Sequence, residues 1–331
     1  MEQRHLGETG PLVSAIGLGC MGMSGMYGPA DRAESIATIH AALDAGVNLL
    51  DTGDFYGMGH NEMLIGEALK GGKRAAAILS VKFGAQRDAA GAFLGFDGRP
   101  AAVKTSIAYS LQRLGVDHID IYRPARIDPN VPIEDTIGAI AEEIQAGRVH
   151  HIALSEVGAD TIRRAAAVHP IVDLQIEYSL ISRDIEDKIL PACRELGIGI
   201  TAYGVLSRGL ISGNWSKDQA KAGDYRAASP RFQAENIDRN LALVEALRKI
   251  AEAKGVSVAQ IAIAWVAAQG KDIVPLPGSR RRDQLNEALG SLDVSLGTDD
   301  LAAIERAVPK GAAAGSRYPA VMQQHLDAEQ A

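Results

Sequence analysis

The sequence has little cysteine. Cys20 and Cys193 are the two among 331 residues, too few for a disulfide framework and without metal-ligand spacing, so no metal site is expected. Such sparing use fits a reducing, cytoplasmic compartment. Positive charge is also in deficit. Against 41 Asp and Glu stand 34 Lys and Arg, a formal net charge of -7, which argues against nucleic acid or an anionic membrane as the main partner. Any anion must then be caught by a local basic site. No apolar run reaches the roughly 20 residues that a membrane-spanning helix needs. The segment Met1-Glu2-Gln3-Arg4-His5 has no apolar signal core. No stretch rich in Pro, Gly or Ser divides the chain, so residues 1–331 are expected to form one domain. No stretch specifies an oligomer.

What is present reads as a soluble globular protein, with 47% hydrophobic and 23% charged residues. A turn signal, Gly7-Glu8-Thr9-Gly10-Pro11, predicts a β-hairpin over residues 1–15. Strand-like runs then stand at 14–19, 47–51, 77–82, 118–122, 150–155, 172–178, 198–203 and 272–277. Helical patterns lie between them at 32–45, 62–69, 101–114, 133–146, 159–168, 185–196 and 236–254. Gly46, Gly115, Gly147 and Gly197 mark helix ends. This alternation predicts an α/β fold, a (β/α)8 TIM barrel with an N-terminal β-hairpin. A doubly wound sheet is the rival, but Gly17-Leu18-Gly19-Cys20-Met21-Gly22 does not fit the dinucleotide fingerprint. Two further patterns, 257–269 and 298–308, predict extra helices capped by Ser257 and Thr298. Segments 86–100 and 207–230 read as long loops, and 311–331 as a small-residue tail. Loops after barrel strands gather at the catalytic face.

Two strand ends carry charge. Asn48-Leu49-Leu50-Asp51 runs into Thr52-Gly53-Asp54-Phe55-Tyr56-Gly57, and Ile78-Leu79-Ser80-Val81-Lys82 into Phe83-Gly84. Burying such charges is costly unless they are paired. Asp51 is therefore expected to hold Lys82, and Lys82 to lie beside the Tyr56 hydroxyl and lower its pKa. A phenol tuned in this way exchanges a proton near neutral pH.

These residues, Asp51 and Tyr56 in Asp-Thr-Gly-Asp-Phe-Tyr-Gly and Lys82 in Ser-Val-Lys-Phe-Gly, resemble the aldo-keto reductases, and the likeness continues through Gly278-Ser279-Arg280. The resemblance implies hydride transfer between a nicotinamide cofactor and a carbonyl or alcohol substrate, with Tyr56, Asp51 and Lys82 catalytic. One position departs from the pattern. Where the family places a histidine that hydrogen-bonds the substrate carbonyl, Asp120-Ile121-Tyr122-Arg123-Pro124-Ala125-Arg126 has Ala125. The change is expected to remove a donor and open space for a bulkier carbonyl compound. Arg123, on the same strand face as residue 125, is the candidate replacement.

The likeness also implies cofactor contacts. Ser155 and Gln175 stand where the family binds the carboxamide, with Glu156 in place of an asparagine, and Tyr203 where an aromatic stacks on nicotinamide. Gly204, Leu206 and Arg208 fall in the pyrophosphate loop. Gly278, Ser279 and Arg280 precede a helix whose start favours an anion. A hydroxyl and a guanidinium there suit the 2′-phosphate of NADPH. Gln284 and Glu287 would follow towards adenine. Phe93, Phe96, Arg317 and Tyr318 suggest an aromatic or bulky substrate pocket.

Two other functions fit parts of the sequence. A nucleotide-sensing NADPH-binding protein with lost catalysis would explain Ala125 but not the intact Asp51, Tyr56 and Lys82. A barrel enzyme for a phosphorylated metabolite would use Arg280, Arg281 and Arg282 for the substrate phosphate.

Overall fold

Eight parallel strands, in spatial order of the sequence, close into a barrel in the computed structural model, which describes residues 1–215, 225–323 and 325–329. They are β3 (Leu18–Gly19), β4 (Leu49–Gly53), β5 (Ile78–Phe83), β8 (Ile119–Pro124), β9 (Val149–Ser155), β10 (Ile171–Glu177), β11 (Gly199–Tyr203) and β12 (Ile273–Leu276). The seam is made by Gly17 and Gly19, whose amides donate to the Pro275 and Pro277 carbonyls at 2.9 and 3.0 Å. A Cβ on Gly17 would lie 2.7 Å from a Leu276 methyl and 3.1 Å from a Leu49 methyl, so the approach is close. Every residue of β4, β8 and β10 is buried, as strands covered on both faces must be.

Helices α1 (Arg32–Asp44), α2 (His60–Ala68), α3 (Pro100–Leu114), α4 (Ile133–Gln145), α5 (Ala159–Val168) and α6 (Ile189–Glu195) follow their strands. α7 (Ala234–Lys254), α8 (Val258–Ala268), α9 (Arg282–Gly290) and α10 (Thr298–Ala307) come later. The hairpin of β1 (Gln3–His5) and β2 (Leu12–Ser14) plugs the amino-terminal end, where Leu6 and Val13 pack against Leu49, Ile121, Ala153, Val172 and Val274.

Three expectations change. Residues 86–100 are not simply a loop: β6 (Ala85–Arg87) and β7 (Phe93–Phe96) pair antiparallel. The extra helix is α7, not the segment 257–269. α8 is apolar on nearly every face and packs on β12 and α9, whereas α7 packs on α8 and α10. The cap of α10 is Gly297, not Thr298; Ser257 does cap α8. Within segment 207–230, residues 216–224 lie outside the described residues.

Candidate active site

The barrel interior becomes polar above its apolar plug. Arg123 and Asp173 form a fully buried ion pair at 2.8 Å, joined by Thr201, which donates to Asp173 at 2.5 Å. Arg123 Nη2 also donates to Ser80 Oγ at 2.8 Å, and Ser80 Oγ donates onward to Asp51 Oδ2 at 3.0 Å. Arg123 therefore braces the site from below. It does not replace the missing histidine, because its guanidinium is sealed inside the barrel and aimed at Asp173.

Asp51 is the hub of the next layer. Its Oδ1 accepts from Lys82 Nζ, and its Oδ2 accepts from Gln175 Nε2 at 2.7 Å. The expected Asp51–Lys82 pair is present and buried on both sides. Lys82 Nζ lies 5.1 Å from the centre of the Tyr56 ring. The Tyr56 ring is buried, yet its hydroxyl has no hydrogen-bond partner among the described residues and is not sealed from solvent. It is available to a ligand.

The electrostatics differ from the expectation. Burial pushes the Tyr56 phenol well above its ordinary pKa, and the Asp51 charge adds to this; Arg126 is the group that pulls it down. Lys82 does not supply that pull. Its own pKa falls through burial, against the opposing attraction of Asp51.

Ala125 is buried, at 2% exposure, so it does not open the space expected of it. Arg126 folds back over it, with Nη1 on the Ala125 carbonyl at 2.5 Å and on Ser155 Oγ at 3.5 Å.

At the ends of the next strands Ser155, Gln175 and Tyr203 stand on β9, β10 and β11, with Ser155 and Gln175 side by side in register. Glu156 adopts a left-handed backbone at φ 54°, a conformation that costs energy for a residue with a side chain. Its buried carboxylate accepts from Tyr203 Oη at 2.7 Å, from the Glu177 amide at 2.9 Å and from both arms of Arg317. Its pKa falls to about 2, the Arg317 and Arg126 charges outweighing burial. Tyr203 and Tyr318 share a hydroxyl–hydroxyl bond of 2.8 Å. The tail thus crosses the carboxyl ends of the strands. Phe93 and Phe96 meet it too, each ring packing on His325 at 5.7 and 5.6 Å.

The pyrophosphate-loop residues form a strained turn, with Gly204, Ser207, Arg208 and Gly209 all at positive φ, and Leu206 is partly buried. The Arg208 side chain is committed within the protein, to Glu177 at 3.3 Å, to the Arg317 carbonyl at 2.9 Å and over the Tyr318 ring. Past β12, Gly278 is exposed, and the buried Ser279 has a hydroxyl without a partner among the described residues. Arg280 Nη1 donates to the Tyr27 and Gly28 carbonyls at 3.0 and 3.1 Å. Arg281 and Arg282 pair with Asp283 and Glu34, each at 2.9 Å, which counts against a three-arginine phosphate site. Glu34 also accepts the Arg282 amide, so the first N–H of α9 already has an anion. Gln284 caps the Arg280 amide rather than pointing outward, and Glu287 lines a groove with Ser212, Asn214 and Arg248.

Sequence reasoning missed Arg126, Glu177 and Arg231. Arg231 is buried and lies 3.5 Å from Glu177. The signal for Arg126 was its place one residue past Ala125; Glu177 and Arg231 carried none, because their partners come from loops distant in sequence. Outside the site, His118, Asp120 and His150 gather at the amino ends of β8 and β9. The two rings stack at 4.1 Å and 22°, and the nitrogen and carboxylate ligand atoms of the three residues lie within 4.8 Å of one another.

Barrel, strand-end ion pair and open phenol meet at the carboxyl ends of the strands. A profile described as the Aldo/keto reductase family matches residues 15–309. "Probable aldo-keto reductase 1" of Glycine max is 42% identical over 319 residues, covering 95% of this chain and 90% of that protein. Among solved structures, the glycerol dehydrogenase of Gluconobacter oxydans superposes with a TM-score of 0.83 at 28% identity, covering 98% and 96% of the two chains. A thermostable aldo-keto reductase solved with the inhibitor epalrestat superposes at 0.74 and 25% identity, covering 93% and 100%. The chain belongs to the aldo/keto reductase family. It is an oxidoreductase of carbonyl or alcohol substrates that works with a nicotinamide cofactor.

Proposed function

We propose that the protein is an NADPH-dependent reductase of a bulky ketone or aldehyde, working in the cytoplasm with Tyr56 as proton donor. The open Tyr56 hydroxyl above the Asp51–Lys82 pair carries this reading. When bound, the nicotinamide supplies the hydride. Tyr56 then gives its proton to the carbonyl oxygen, and Lys82 stands by the phenolate so formed. Ser80, Gln175 and Lys82 fix the Asp51 carboxylate, which holds the ammonium of Lys82 in turn.

The residues present suit the cofactor in part. Ser155, Gln175 and Tyr203 on adjacent strand ends would hold the nicotinamide, and the Gly204–Leu206–Arg208 turn the pyrophosphate. The partnerless Ser279 hydroxyl beside Arg280 supports a 2′-phosphate contact, with Gln284 and Glu287 behind it. Gly278 gives the backbone room at that point. Phe93, Phe96 and Tyr318 would line the substrate side. A panel of carbonyls and alcohols with NADPH and NADH, followed by nicotinamide absorbance, tests the reading. Turnover of bulky carbonyls with NADPH is expected; binding without turnover across the panel would favour a nucleotide-sensing role.

A further inference from the structure

Arg126 is a cation at the site that makes no ion pair among the described residues. Among the described residues Asp51 pairs with Lys82, Asp173 with Arg123, and Glu156 and Glu177 with Arg317, Arg208 and Arg231. Arg126 has no carboxylate within ion-pair distance among those residues. Its Nη1 is fixed by the Ala125 carbonyl and Ser155 Oγ. Its Nε and Nη2 have no partner among the described residues and are not sealed from solvent. These two nitrogens form one edge of the guanidinium, with parallel N–H groups that match two neighbouring oxygens.

The position of that edge is set by the strands. Ala125 is bonded through its amide to the Phe83 carbonyl at 2.8 Å, one residue past Lys82. Ser155, the second anchor, neighbours Gln175, which holds Asp51. Arg126 is thus tied to the ends of β5, β8 and β9, around the proton donor. Its charge is felt by Tyr56 and Lys82, and it in turn feels Tyr203, Tyr318 and Glu156.

We propose that Arg126 is the second donor to the reacting carbonyl, in the place that Ala125 leaves without one, and that its open edge selects an α-oxo acid. One N–H meets the oxo group and the other the adjacent carboxylate, while Tyr56 protonates the oxo oxygen from the other side. The hydride enters the oxo carbon, the C=O π pair moves onto oxygen and forms the O–H bond with the proton from Tyr56, and the product is the 2-hydroxy acid. This rests on the reductase reading above, and the tests separate the two.

The probes are phenylglyoxylate, its methyl ester and benzaldehyde, with NADPH, on wild type, Arg126→Met and Arg126→Lys. Wild type is expected to favour phenylglyoxylate. Arg126→Met should lose about 10²–10³-fold in kcat/KM on the acid, and less on benzaldehyde, which lacks the second oxygen. Arg126→Lys should recover part of the benzaldehyde rate but little of the acid rate, because a lysine has no fork. Calorimetric titration of phenylglyoxylate into the NADP⁺-loaded protein reads the site without turnover. Affinity should fall about 10- to 100-fold in Arg126→Met, with cofactor binding unchanged. Equal loss on all three probes, or equal affinity for phenylglyoxylate in wild type and Arg126→Met, would overturn the assignment. Failure of wild type on a whole carbonyl panel would instead overturn the reductase reading, with the titration still deciding Arg126.

Discussion

Arg317 grips Glu156 through both guanidinium nitrogens, at 3.1 and 2.9 Å, deep in the mouth of the barrel. The bond ties the C-terminal segment to the end of β9 over 161 residues of sequence. Removing one partner of a buried pair leaves an uncompensated charge. Arg317→Met is therefore expected to cost about 3 kcal/mol in chemical unfolding, and the double variant with Glu156→Gln less than Arg317→Met alone. Glu156 also sets a pH limit. Its folded pKa, about 2, lies below the ordinary value of 4.5, so its contribution is present above about pH 4.5 and lost as pH falls towards 2. Glu156→Gln should flatten the acid side of the stability curve in that window.

Asp54 acts in the opposite direction. Burial, with the Glu62 charge second, pushes its carboxyl up to about 7, and Oδ1 has no partner. The folded state keeps this proton where the unfolded chain has lost it. Stability should thus decline as pH rises from about 4 to about 7. Asp54→Asn should remove that slope, read as thermal midpoints at pH 5 and pH 8, where Glu156 is ionised in both states. An unchanged difference between the two midpoints would show that Asp54 does not titrate there.

In the proposed reading, Ser279 and Arg280 set the choice of cofactor. Losing a charge-assisted hydrogen bond costs about 1.5–3 kcal/mol, or roughly 10- to 150-fold. Arg280→Ala should weaken NADPH by that factor and NADH much less, as measured by fluorescence titration. Equal losses would place Arg280 outside the phosphate contact.

The barrel was legible because strand and helix periods alternate and glycines punctuate them; all eight strands lie within a few residues of their expected places. The Asp51–Lys82 pair was legible because charge at the end of an apolar strand requires a partner. Arg123 misled, since alternation shows which face a residue takes but not that Asp173, on a strand 50 residues on, waits on that face. The helix swap between α7 and α8 has a similar cause: both patterns are helical, and the choice of which one packs on the barrel depends on the apolar face of α8. The network of Glu156, Glu177, Arg208, Arg231 and Arg317 joins strand ends to two distant loops, and no local pattern announces it.

The central claim is that Tyr56 delivers the proton, and Tyr56→Phe tests it most directly. The substitution keeps the buried ring and removes the hydroxyl. Steady-state reduction of the best carbonyl from the panel, with NADPH affinity measured alongside, should show kcat falling about 10²–10⁴-fold with the cofactor still bound. Lys82→Met should slow the reaction too. A Tyr56→Phe protein that kept most of the wild-type rate would contradict the account.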